Sequence, residues 1–105
     1  MNMKRQQRFG VVAIAALAAV LTTPALAYTG QKYRSEANIG MNEARAIALK
    51  AHPGKITDAE LERERGGSGL RYSFDIRSGR HVQEVGIDAR TGKVLENDRE
   101  GPSPD

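Results

Sequence analysis

The 105-residue chain contains no cysteine. That absence rules out disulfides, thiolate metal sites, a cysteine nucleophile and a lipid-bearing cysteine. Small domains bury proportionately little surface and often rely on disulfides where the compartment allows them, so a small domain without cysteine has to depend on packing, short loops or self-association. Histidine is nearly absent too: His52 and His81 are the only two, and neither stands in an H-E-x-x-H pattern. The Gly66-Gly67-Ser68-Gly69 stretch lacks the Lys-Ser/Thr ending of a phosphate loop. No apolar run is long enough for a membrane span. The longest, Val11 to Leu21, falls well short of the roughly 20 residues a bilayer requires.

That run has the layout of an export signal. Lys4, Arg5 and Arg8 precede it, Pro24 follows, and Ala25-Leu26-Ala27 puts small residues at the −3 and −1 positions of a cleavage site. Cleavage near Ala27 predicts a periplasmic or secreted domain with no stable membrane anchoring. Residues 1–27 also hold three basic and no acidic residues. Their removal takes the balance from 16 Lys+Arg against 13 Asp+Glu to 13 against 13. The basic footprint that nucleic-acid binding requires therefore disappears with the signal, and no nucleic-acid partner is expected.

Residues 28–38 are polar and aperiodic, and read as a flexible leader. Met41, Ala44, Ile47, Ala48 and Ala51 then recur at helical spacing, with Gly40 as N-cap, Glu43 in the first turn and Pro53-Gly54 as the stop. From Ile56 the period changes to two. Ala59 and Leu61 alternate with Glu60, Glu62 and Glu64; Leu70, Tyr72, Phe74 and Ile76 alternate with Arg71, Ser73, Asp75 and Arg77. A four-residue loop at Gly66–Gly69 would set Leu61 opposite Phe74, Ala59 opposite Ile76, Glu64 opposite Arg71 and Glu60 opposite Asp75. A Ser78-Gly79 turn would set Tyr72 opposite Val85 and Leu70 opposite Ile87. Asp88-Ala89-Arg90-Thr91-Gly92 reads as a third turn, returning Val94 opposite Ile87. The tail 97–105, with Pro102 and Pro104, reads as disordered.

These patterns predict an α+β domain: one α-helix packed on an antiparallel sheet of about four strands, in two layers. The expected core is Ile39, Ala44, Ile47, Ala48, Ala51, Ala59, Leu61, Leu70, Tyr72, Phe74, Ile76, Val85, Ile87 and Val94.

No catalytic, cofactor or metal-binding set emerges. His52 suits a helix C-terminus, His81 stands beside a turn, and the alternating glutamates spread along one strand face. The candidate site is a protein-binding face on the sheet side away from the helix. Glu62, Glu64, Arg71, Ser73 and Arg77 share its parity with Val82, Gly86 and Leu95, which place apolar residues where alternation calls for polar ones. Strand addition at the first or last strand would serve the same end.

The ordered set Ile39-Gly40-Met41-Asn42-Glu43-Ala44, His52-Pro53-Gly54-Lys55, Tyr72-Ser73-Phe74-Asp75-Ile76, Val85-Gly86-Ile87 and Asp88-Ala89-x-Thr91-Gly92-x-Val94 resembles the PepSY domain family over residues 39–96. The resemblance implies a small exported module without catalytic or cofactor residues, whose role is to bind or inhibit peptidases outside the cytoplasm. Two function classes follow. One is a non-enzymatic exported protein-binding module with a secreted or periplasmic peptidase as partner; the other is a self-associating structural or envelope-sensing protein, in its simplest form a homodimer.

Overall fold

A computed structural model describes residues 27–101. The proposed signal segment up to Leu26 and the last residues, 102–105, lie outside them. A 3-10 helix at Gln31–Glu36 leads into α1 (Met41–Ala51), followed by β1 (Lys55–Arg63), β2 (Leu70–Ser78), β3 (His81–Asp88) and β4 (Val94–Arg99). The strands form one antiparallel sheet in the order β1-β2-β3-β4. With α1 laid on one face, this is the expected two-layer α+β fold. Among the described residues no helix is long and apolar enough to cross a membrane.

The helix begins where Gly40 turns extended and ends where the His52 N–H bonds to the Ala48 carbonyl, one residue before Pro53. Ala44 and Ala48, one turn apart, are fully buried. Such small side chains let the helix axis approach the sheet closely. Beneath it lie Leu61, Leu70, Tyr72, Phe74, Ile76, Val85 and Ile87, each at most 1% exposed. Tyr72 stacks with Phe74 and donates its hydroxyl to the Ile39 carbonyl at 2.8 Å, joining the sheet to the helix approach. Ala89, also buried, accepts the N–H groups of both Asn38 and Ile39 through its carbonyl.

The strand faces are as the alternation requires, but two registers differ from expectation by two residues. Ala59 stands opposite Phe74 and Leu61 opposite Tyr72, because the first loop runs from Glu64 to Gly69. Tyr72 stands opposite Ile87 and Phe74 opposite Val85, because the tight turn is Gly79-Arg80. Ser78 stays in β2, where its hydroxyl bonds to the Pro53 carbonyl at 2.8 Å. A shift of two leaves every side chain on its own face, so alternation alone does not distinguish these pairings. Ile87 does pair with Val94.

The chain ends of the domain depart further. Residues 28–38, expected as a flexible leader, carry the 3-10 helix and a parallel bridge between Thr29 and Glu60, with Thr29 N–H bonded to the Ala59 carbonyl and Leu61 N–H to the Thr29 carbonyl. Tyr28 meets Tyr72 edge-on, Arg63 lies over the Tyr33 ring, and Glu36 pairs with Arg63 at 2.6 Å and with Arg90 at 3.6 Å. Distant side chains hold this segment, which is why no local periodicity reveals it. Asn97 to Arg99, assigned from sequence to a disordered tail, complete β4. Val94 is 38% exposed instead of buried, since it belongs to an edge strand; Ile39, Ile47 and Ala51 are half-buried around the helix margin.

Candidate functional site

The side of the sheet away from α1 is ordered by the registers. Glu62, Glu64, Arg71, Ser73, Arg77, Val82 and Gly86 do share it, but they do not form one mixed apolar and charged surface. Ser73 donates its hydroxyl to Glu62 at 2.7 Å. Arg71, whose side chain is only 8% exposed, reaches across β3 to Glu96 at 3.3 Å, pairs on its other side with Glu64 just past the end of β1 at 3.6 Å, and donates to the Arg65 carbonyl at 2.9 Å. Gly86 makes room for it: a Cβ there would meet the Arg71 Cδ and Nη1 and the Glu96 Cβ, all at 3.3 Å. Gly86 thus serves the packing of an arginine.

The two apolar residues that motivated the site lie apart. Val82 stands opposite Arg77 near the β2–β3 turn. Leu95 is the extra residue of a bulge in β4, where its Cδ atoms pack close to Gly67 in the first loop. Most of the length of β3 separates them, about 15 Å at strand rise. Both are half-buried, and they do not form a common patch.

What occupies the centre is a row of acids. Asp58 is opposite Asp75, Asp75 opposite Glu84, and Glu84 opposite Asp98, so one carboxylate from each strand lines up straight across the sheet. Strand spacing sets neighbours in such a row about 5 Å apart, where like charges repel. Glu60 and Glu62 extend the acidic surface along β1, and Glu96 and Glu100 along β4. Of the four acids in the row, none enters a salt bridge among the described residues. Burial, then the neighbouring carboxylates, push Glu60, Asp75 and Glu84 above the usual carboxylate range. The row was hidden in sequence by the register: a shift of two residues puts Glu60, not Asp58, across from Asp75.

At the end of β3 the opposite condition holds. Asp88 is 1% exposed, and burial alone would raise its pKa. Hydrogen bonds from the Ser68 hydroxyl (2.7 Å) and the backbone N–H groups of Arg90 (2.8 Å), Ser68 (2.7 Å) and Thr91 (3.1 Å) outweigh that and hold it at about 2. Asp88 binds the first loop to the last turn. Its place before Ala89-Arg90-Thr91-Gly92 signals a side chain closing a turn; nothing in sequence signals Ser68 as its partner.

The histidines take structural positions. His52 ends α1 with its Nε2 3.5 Å from the Ser78 hydroxyl, and His81 lies exposed against the Arg99 guanidinium. Among the described residues no three His, Asp or Glu side chains converge as metal ligands.

A family model, PepSY, described as peptidase propeptide and YPEB domain, matches residues 38–98, which takes in α1 and all but the last residue of the sheet. No curated protein and no solved structure matches the chain.

Proposed function

Because the chain belongs to the PepSY family, we propose that it is a non-enzymatic exported module that binds another polypeptide, with an extracytoplasmic peptidase as the partner to be bound or inhibited. The observation that carries this reading is the extent of the match: the helix and nearly the whole sheet are accounted for by a propeptide-type domain. The buried polar groups Asp88, Arg71 and Ser73 tie loops and strands together within the domain. In this reading the export signal is removed near Ala27, and Tyr28 and Thr29 close onto the sheet as the start of the mature protein.

Affinity capture tests the proposal. The mature chain, immobilised and exposed to periplasmic and secreted fractions, retains a peptidase, and the purified peptidase loses activity or changes specificity when the chain is added. Retention of no protein from either fraction contradicts it. Self-association is the competing reading, and the acidic row speaks against two copies meeting back to back at neutral pH, since it would face its own charge. Light scattering across a concentration series decides that point: a monomer at every concentration sets the homodimer aside.

A further inference from the structure

We infer that the outer edge of β4 pairs with an extended segment of the partner that carries Lys or Arg at alternate positions. This rests on the polypeptide-binding reading above and names where and by what chemistry the polypeptide is held.

The two edges of the sheet are not equivalent. The β1 edge is occupied at its centre by Thr29, through two backbone hydrogen bonds, and is distorted at Thr57 by a register shift between Ile56 and Asp58. At the β4 edge, no described element pairs outside the strand. Glu100 N–H bonds to the Val82 carbonyl, and bonded pairs alternate along an antiparallel ladder. The main-chain groups of Asn97 and Arg99 therefore face outward, a row of donors and acceptors suited to a fifth strand.

Side-chain charge selects which strand. On a fifth strand, the residues opposite Glu96, Asp98 and Glu100 would share the face of the acidic row, at every second position. The one opposite Asp98 would become the next member of Asp58-Asp75-Glu84-Asp98. A cation there ends a line of four like charges with an opposite one. A second copy of this chain does the reverse: β4 paired antiparallel with its own copy about Asp98 sets Asp98 against Asp98 and Glu96 against Glu100. The edge therefore repels itself and accepts a basic strand.

The probes are synthetic nine-residue peptides added to the mature chain: one with Lys alternating with Thr or Val, one with Glu in place of Lys, and one N-methylated on the backbone between the lysines. The alternating-Lys peptide is expected to bind, to shift the amide resonances of Leu95 to Glu100, and to weaken with salt. N-methylation should weaken it about tenfold through lost backbone hydrogen bonds, and the chain variant carrying Asp98→Asn with Glu100→Gln should weaken it by a similar factor, about tenfold. Equal binding of the N-methylated peptide, shifts confined to Lys55–Arg63, or no binding at all overturns the inference. A peptidase that is still captured undiminished by the double variant leaves the proposed function standing and removes this edge from it.

Discussion

Asp88 and Ser68, twenty residues apart, are joined twice: the Asp88 carboxylate accepts the Ser68 backbone N–H and the Ser68 hydroxyl, each at 2.7 Å. Since the same carboxylate also accepts from Arg90 and Thr91, Asp88→Ala orphans donors in the first loop and the last turn together. Urea unfolding should show a loss of about 3 kcal/mol, the range for charged hydrogen bonds in a buried site. An unchanged midpoint would remove Asp88 from this role.

The pH dependence should be bell-shaped on the acid side. Glu60, Glu64 and Glu84 are raised from 4.5 and Asp75 from 3.8, with burial the first cause in each. The folded state then holds their protons more tightly than the unfolded one, so stability rises as pH falls from neutral toward those ordinary values. Asp88 acts oppositely. Its pKa of about 2 lies below the ordinary 3.8, so its contribution is complete above about pH 4 and is lost as pH falls through 2. Urea midpoints measured from pH 7 to pH 2 should pass through a maximum in mild acid, and Asp88→Asn should flatten the fall below it. A steady decline from neutral pH contradicts the assignment.

Gly30 holds the N-terminal segment against the sheet. Its φ is +88°, and a Cβ would collide with the Leu61 carbonyl oxygen. Gly30→Ala should release the Thr29 bridge and cost about 1–2 kcal/mol. Hydrogen exchange reads it directly: the Leu61 amide, bonded to the Thr29 carbonyl, loses protection, while the Phe74 and Val85 amides keep theirs.

Tyr72→Phe removes one hydroxyl and leaves the ring. The lost bond to the Ile39 carbonyl, 2.8 Å in the native protein, should lower stability by about 1 kcal/mol. The stack on Phe74 should survive, so the near-ultraviolet aromatic signal persists. Collapse of that signal would mean the hydroxyl organises the core itself.

The side of the sheet on which each residue falls was readable in the sequence, because alternation along Leu70 to Ile76 and helical spacing from Met41 to Ala51 each follow from local geometry. Register was not. Whether Leu61 meets Phe74 or Tyr72 depends on where the first loop ends, and that loop is held by Asp88 and Arg71 from other strands. The same dependence concealed the acidic row, whose members become neighbours only in the correct register. Residues 28–38 offered least, since Tyr28, Tyr33 and Glu36 acquire their roles through Tyr72, Arg63 and Arg90. Of the candidate site, the face was legible and the residues that dominate it were not: Val82 and Leu95 stand out for being apolar, while nothing local singles out Asp58 or Glu84, and Asp98 falls in the stretch that reads as a disordered tail.

The strand order β1-β2-β3-β4 also governs the sequence in which the molecule can assemble. Every strand pairs with its neighbour in the chain, so each closure spans a short loop and costs little entropy. The N-terminal segment is different: Ile39 waits for Tyr72, 33 residues on, and Glu36 waits for Arg90, 54 residues on. A chain emerging from its N-terminus can zip the sheet hairpin by hairpin, and Thr29 finds Ala59 and Leu61 as soon as β1 arrives, yet Asn38 and Ile39 meet the Ala89 carbonyl, and Glu36 meets Arg90, only once the last turn has formed. The entry to α1, made early in the chain, is thus among the last parts to be secured.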